Sequence, residues 1–291
     1  VAVTAVRERA AMVLAAGLGT RLRPLTDERA KPLVPVGDRP VLGHILDRLG
    51  AARVKHIAVN AHHRADDVRS FLPPGVALSV ETELLGTAGG LERALPHLGD
   101  GDVLVWNGDI LTELDVDALY AAHSTDATLA VAPRGDRLGN VGLDAHGDVV
   151  RLRKETVRPG EVRSADFLAV HLVGASLRRR LPKRGDFISD VYLPAMRDGA
   201  RLRSVEHAGA WFDVGSLAVY LAANRAWLSQ RGLAAWSAPS ARVSASIDGS
   251  VIGPHAVVEA PALRSVVWPY ARVTEPIEDA VVTPRGIVRS T

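Results

Sequence analysis

Between Met12 and Pro32 the chain reads MVLAAGLGTRLRPLTDERAKP. Met12–Ala16 is a short apolar run suited to a buried strand. It leads into Gly17, Leu18, Gly19, Thr20 and Arg21, and Lys31 follows ten residues after Arg21. The glycines let the backbone turn tightly and approach a bulky anion. Thr20 adds a hydroxyl and Arg21 a forked cation, and Lys31 can fold back as a second cation. A strand ending in glycines and two cations suits a nucleoside triphosphate. Two aspartates close similar segments further on, Asp109 in WNGD and Asp213 in AWFDVG. The P-loop pattern is absent, and the dinucleotide pattern GxGxxG fails because Leu22 takes the third glycine position.

The elements that must position these residues follow from periodicity. Pro40–Leu49 places Val41, Leu42, Ile45, Leu46 and Leu49 at helical spacing, with Gly50 as a stop. His56–Asn60, Val76–Val80, Val103–Trp106 and Ala127–Val131 read as strands; Ala65–Leu72, Gly89–Leu98 and Asp115–His123 read as helices. This alternation predicts an α/β fold, a Rossmann-like doubly wound mixed sheet. Ligands in such sheets sit beyond the carboxyl ends of strands, where the Gly17 loop and Asp109 both fall. Gly139–Val150 reads as a hairpin. Helical patterns follow around Ser176–Leu181, Ser189–Asp198 and Ser216–Gln230, the last after a short strand ending in Asp213. Residues 1–10 read as a tail. After Arg231, IGPHAV and VWPYAR match in form and start 15 residues apart. They resemble about two coils of a left-handed parallel β-helix. The expected division is a catalytic domain over 11–230 and a β-helix-like segment over 231–291, which packs on the main domain or on a partner subunit and so offers a route to a homo-oligomer.

With 291 residues, 47% of them hydrophobic and 23% charged, the chain can bury a core. A net charge of +2 argues against a nucleic-acid partner. The absence of cysteine excludes disulfides, thiolate zinc sites and thiol catalysis. No apolar run reaches the length of a membrane span. Arg7, Glu8 and Arg9 before Ala10–Ala16 imitate a signal peptide, but the run ends in the glycine loop rather than a cleavage site, so a cytoplasmic enzyme is expected.

The string GLGTRLRPLT followed by KPLVPV resembles the signature of sugar-1-phosphate nucleotidyltransferases, and the motifs are most like those of mannose-1-phosphate guanylyltransferases. The resemblance implies that an NTP and a sugar 1-phosphate give an NDP-sugar and pyrophosphate, with small molecules as the only substrates. It assigns Leu14, Ala15, Ala16, Gly17, Gly19, Thr20 and Arg21 to the nucleotide, with Lys31 near the α-phosphate. The GD pair and the W-x-D-x-G-[ST] motif put Mg2+ on Asp109 and Asp213. Glu81 to Gly89 resembles the base-reading segment, with Glu81, Gly86 and Thr87 on the nucleotide. A carboxylate at position 81 can accept both N1–H and the N2 amino group of guanine, which favours GTP over UTP or dTTP. His62 and His63 are adjacent at a strand end, point apart and are read as structural.

One half of the pattern departs. Where the family usually has Glu-Lys-Pro for the sugar and its phosphate, this chain has Lys154, Glu155 and Thr156, and the usual Asn-x-Gly is replaced by Phe167, Leu168 and Ala169. Gly139, Lys154 and Glu155 are the expected sugar-phosphate residues, with the two charges exchanged. The alternatives are a UTP- or dTTP-dependent glucose-1-phosphate enzyme, or a non-catalytic relative that binds nucleotide sugar and regulates a partner.

Overall fold

The computed structural model describes residues 8–123, 126–135 and 138–289. The chain divides into two compact units, each discontinuous in sequence. One contains Leu46–Trp211 with the start of the chain through Gly17; the other contains Leu18–Ile45 with Phe212–Thr291. This differs from the expected boundary at residue 230, because the segment bearing Arg21 and Lys31 groups with the C-terminal coils.

The first unit is built on a mixed sheet. β1 (Ala10–Leu14) lies between β2 (His56–Ala61) and β4 (Val103–Asn107), and β3 (Val76–Val80) pairs with β2, all parallel. β1 and β4 are continuous apolar runs rather than alternating ones because both faces are buried. Ala10, the last residue of the expected tail, is already β1. The register aligns Leu14 with Asn60 and with Asn107, so three strand ends finish on one line. Further strands, β5 (Ala127–Arg134) and β6 (Val141–Leu143), pair with β8 (Arg163–Val173), while β7 (Val149–Leu152) pairs with β6 and β9 (Leu202–Glu206) with β5. β8 runs antiparallel to β4, β5 and β6 and makes the sheet mixed. It bulges between Phe167 and His171, and Ala169 within the bulge has φ +53°.

The second unit holds helix Leu217–Gln230 and the coils. Rungs pair in parallel at a repeat of 15 residues: Trp236 with Val251, Val251 with Val266, Val266 with Val281. The second side stacks Arg242, Val257 and Arg272, and the third stacks Ala262 on Ile277. Three turns are present where two were expected, and the sides are unequal rather than regular hexads. Ile252, Val258, Val267, Val273, Ile277 and Val282 fill the interior. Buried serines join successive coils, since Ser265 N donates to Ser250 Oγ (2.9 Å) and Ala280 N to Ser265 Oγ (3.2 Å).

A left-handed backbone costs a non-glycine residue roughly 1–2 kcal/mol, because Cβ crowds the following carbonyl. Ala169→Gly is therefore expected to raise Tm by about 2–6 °C in a chain of this size. Differential scanning calorimetry reads this directly, and an unchanged or lower Tm would mean that the alanine methyl contributes packing equal to the strain.

Candidate functional site

The second unit collects two cations on one carboxylate. Arg21 Nη2 lies 3.6 Å from Asp213 Oδ2, and Lys31 Nζ lies 3.7 Å from Asp213 Oδ1. Both separations are ion pairs too long for hydrogen bonds. The Lys31 side chain is only 10% exposed, whereas that of Arg21 is 70% exposed. Gly19 adopts φ +66° and caps the turn Thr20–Leu22. A Cβ there would lie 2.7 Å from Thr26 Cγ2 and 3.1 Å from Lys31 Cβ, so glycine lets the lysine stem pass. Thr26 Oγ1 donates to Gly19 O (2.9 Å) and locks the turn. Gly215 has the same use on the other side, because a Cβ would stand 2.8 Å from Arg21 Nη2 and 2.9 Å from Asp213 Oδ1. Ser216 then caps helix Leu217–Gln230, its Oγ accepting from Val219 N. Asp213, Gly215 and Ser216 of the WFDVGS motif thus serve as carboxylate, clearance and helix cap.

The first unit presents the strand ends. Gly108 N donates to Leu14 O (2.8 Å), and a Cβ on Gly108 would meet that same oxygen at 2.9 Å. Glycine is needed for β4 to pass the end of β1. Trp106 Nε1 donates to Ile110 O (2.9 Å) and closes the turn that carries half-buried Asp109. Ala15 N donates to Asn60 Oδ1 (2.6 Å), and Asn60 Nδ2 donates to Glu81 Oε1 (2.6 Å). Glu81 Oε2 accepts from Leu85 N (3.1 Å). Glu81 is thus 3% exposed, with both oxygens engaged inside the unit. The carboxylate expected to meet a guanine edge is turned inward because Asn60 and Leu85 N–H offer it donors. Gly86, at φ +77°, opens helix Gly86–Ala94, and a Cβ there would lie 2.4 Å from Gly185 O. That carbonyl accepts from Ala88 N (3.0 Å), and Thr87 Oγ1 accepts from Phe187 N (3.1 Å). His62 Nδ1 is hydrogen-bonded to Glu81 O (2.9 Å).

The expected sugar-phosphate residues sit on the antiparallel side of the same unit. Gly139 N donates to Ser164 Oγ (3.3 Å), and Gly139 O accepts from Arg151 Nη2 (3.0 Å). Lys154 is exposed in a two-residue turn with Arg153, which has φ +54°. Glu155 opens the next short strand and pairs with Arg197 (3.1 Å). Lys154 is therefore in a turn and not beside Glu155 in one strand.

A metal-ligand role fits Asp213. Asp213 Oδ1 is buried and accepts no hydrogen bond, which leaves a hard oxygen donor available to a divalent cation. Among the described residues no three His, Cys, Asp or Glu side chains gather into one cluster. Magnesium-like cations that draw most ligands from phosphate and water need no such cluster.

The sequence pattern of the Nucleotidyl transferase family matches residues 10–230. The chain belongs to this nucleotidyl transferase family. It is 36% identical over 234 residues to N-acetylmuramate alpha-1-phosphate uridylyltransferase of Caulobacter vibrioides, covering 73% of this chain and 94% of that protein. It is 31% identical over 220 residues to mannose-1-phosphate guanyltransferase of Aspergillus fumigatus, covering 70% of this chain but 60% of that protein. The fold is that of HddC from Yersinia pseudotuberculosis complexed with GMP-PN (TM-score 0.62, 21% identity, 75% of this chain and 99% of that one). The resemblance to sugar-1-phosphate nucleotidyltransferases read from GLGTRLRPLT and KPLVPV is borne out. Enzymes of this family generally use a divalent metal. No described helix is long and apolar enough to cross a membrane.

In this nucleotidyl transferase the coils also brace the cation segment, which the sequence did not disclose. Tyr220 is fully buried, and burial pushes its phenol well above the ordinary value, so it acts as a neutral hydrogen-bonding group. Its hydroxyl donates to Pro35 O (2.6 Å) and accepts from Trp268 Nε1 (2.9 Å). Thr283 Oγ1 donates to Glu28 Oε1 (2.6 Å), and the Arg29 guanidinium lies 5.4 Å from the Trp268 ring centre. Gly37 N donates to Asn224 Oδ1 (2.9 Å). The residues flanking Lys31 are thereby fixed to the helix and the coils. Tyr220→Phe leaves Pro35 O and the Trp268 N–H without this partner, which costs about 1–3 kcal/mol for each such buried group. Urea unfolding of the variant should show that loss, with a lower turnover alongside it; unchanged stability would mean that the hydroxyl contacts are not bracing the segment.

Proposed function

We propose that this chain transfers a nucleotidyl group from an NTP to a sugar 1-phosphate and releases pyrophosphate. The observation that carries the reading is the placement of Arg21 and Lys31 at ion-pair but not hydrogen-bond distance from Asp213. A sugar-phosphate oxygen attacks the α-phosphorus, a new P–O bond forms, and the bond to the β-phosphate breaks with its electrons leaving on pyrophosphate. Two anions must meet and charge must pass to the leaving group, so catalysis rests on positioning and cation supply. Arg21, exposed and able to swing, serves the β- and γ-phosphates and the leaving charge. Lys31, its stem fixed against Gly19, serves the α-phosphate and the incoming phosphate. Asp109 and Asp213 are the proposed ligands of Mg2+, which when bound neutralises part of the triphosphate charge. Lys154, free to reach from its turn, is the proposed phosphate contact of the acceptor.

GTP with a hexose 1-phosphate is the favoured pair, supported by the mannose-1-phosphate guanyltransferases among the relatives. UTP is the second reading, favoured by the uridylyltransferases at 36% and 32% identity. A pyrophosphate-release screen of GTP, UTP, dTTP and ATP against mannose, glucose and N-acetylmuramate 1-phosphates decides between them. No release with any pair, together with retained nucleotide-sugar binding, would favour a regulatory relative instead.

Three variants test the roles. Asp213→Asn and Asp109→Asn are expected to abolish most turnover at limiting magnesium while thermal unfolding remains cooperative; wild-type rates from either would remove it from the metal site. Arg21→Ala should lower kcat by about 10²–10³ and weaken nucleotide binding much less, since the leaving charge develops in the transition state. Equal losses in kcat and in binding would confine Arg21 to holding the ground state.

A further inference from the structure

We propose that Glu81 is a positioning residue and not the reader of the base: through Asn60 its carboxylate holds Ala15 at the mouth of the glycine loop, and directly it holds Leu85 at the entry to helix Gly86–Ala94. The proposal rests on the nucleotidyl-transfer reading for its kinetic part alone. Four groups form one buried relay, from Ala15 N to Asn60 Oδ1 (2.6 Å), Asn60 Nδ2 to Glu81 Oε1 (2.6 Å), and Leu85 N to Glu81 Oε2 (3.1 Å). Asn60 is 2% exposed and Glu81 is 3% exposed.

The polarity of this relay is forced. Ala15 and Leu85 supply backbone N–H groups, which can only donate. Asn60 must therefore turn its carbonyl oxygen to Ala15 and its amide nitrogen to Glu81, and Glu81 must accept on both oxygens. Each oxygen keeps a lone pair, but with Oε1 held by Asn60, Oε2 held by Leu85 N and the residue 3% exposed, the carboxylate is not presented to a guanine edge. Helix Gly86–Ala94 supplies an independent sign that the relay is built in. A Cβ on Gly90 would lie 2.6 Å from Asn60 Nδ2 and 3.0 Å from Glu81 Oε1, so the helix keeps a glycine where the two side chains meet. Base selection then falls to groups other than the Glu81 side chain, while Glu81 sets the spacing of the two segments expected to hold the nucleotide.

Because the polarity is fixed at both ends, it can be inverted in the middle. Glu81→Gln sets an amide NH2 against either Asn60 Nδ2 or Leu85 N–H. Asn60→Asp sets two carboxylates against each other. The double variant Asn60→Asp/Glu81→Gln restores every bond: Asp at 60 accepts from Ala15 N and from the glutamine amide, and the glutamine oxygen accepts from Leu85 N. Net charge is unchanged.

The experiment measures Tm and kcat/KM with GTP and UTP for the wild type, the two single variants and the double variant. Each single variant should lower Tm and lower kcat/KM for both nucleotides in equal proportion, by about five- to 150-fold for one unpaired buried group. The double variant should recover most of both losses and keep the wild-type GTP to UTP ratio. A GTP to UTP ratio that shifts in Glu81→Gln and stays shifted in the double variant would overturn the proposal and return Glu81 to base reading. Losses in Tm that simply add in the double variant would also overturn it. If the wild type releases no pyrophosphate, the functional reading fails on its own, and the Tm cycle still decides the relay.

Discussion

Arg21 and Lys31 are like charges, and Asp213 is what allows them to stand together. A carboxylate hydrogen-bonded tightly to both would satisfy the cations and blunt their pull on phosphate. Held at 3.6 and 3.7 Å, the three charges attract one another while the cations are not hydrogen-bonded to the carboxylate. The pairing is worth little to stability, since Arg21 is largely in water, where exposed ion pairs contribute about 0–1 kcal/mol. Its value is placement. Much of the second unit acts on that placement: Gly19 and Gly215 supply clearance, Ser216 starts the helix, and Tyr220, Trp268, Thr283 and Asn224 secure the segment from Glu28 to Gly37.

Glycine recurs in this protein as space for a neighbour more than as freedom to turn. Gly108 admits Leu14 O, Gly215 admits the Arg21 guanidinium, and Gly90 admits the Asn60–Glu81 contact. None of these three has a positive φ. Gly37 combines both uses, with φ +62° and a Trp227 ring 2.1 Å from where a Cβ would lie. Motif glycines in nucleotide-binding loops are commonly explained by approach to the ligand; here several are already accounted for by approach to the protein's own groups.

That distinction explains what the sequence disclosed and what it hid. The alternation of apolar runs and amphipathic helices from residue 12 to 131 located β2 to β4 within a residue and β1 within two, because a buried parallel strand leaves an apolar block. The 15-residue spacing of IGPHAV and VWPYAR is the coil repeat itself, although two hexads could not reveal a third turn whose sequence matches neither. Arg163–Val173 was missed as a strand because its bulge breaks the period of two in the middle. Asn60 was read only as the last residue of a strand because its partners, Ala15 and Glu81, are distant in sequence. Glu81 was expected to face a base edge, and its carboxylate accepts from Asn60 Nδ2 and Leu85 N, since residue type gives hydrogen-bonding capacity without saying which donors reach it first.

The acceptor half shows a different kind of divergence. Ala169 has a left-handed backbone at φ +53° in the position where the Asn-x-Gly of the resemblance would put glycine, and Phe167 N donates to Asn140 Oδ1 at 2.8 Å. Strain of this kind without the residue that relieves it argues that the bulge is fixed by its surroundings, namely β5 along one edge and β6 then β4 along the other. The exchanged charges fit the same picture. Arg153 takes the left-handed place in its hairpin and donates to Ser189 Oγ (3.1 Å), Glu155 is tied to Arg197, and Lys154 is left at the tip. One cation is thus presented on a long flexible stem, where phosphate needs only a point charge. The usual glutamate, which must meet sugar hydroxyls with defined geometry, has no counterpart at that tip. If Lys154 holds the acceptor phosphate as proposed, a change confined to the hydroxyl-reading group alters which sugar is accepted before it alters whether a sugar phosphate is accepted.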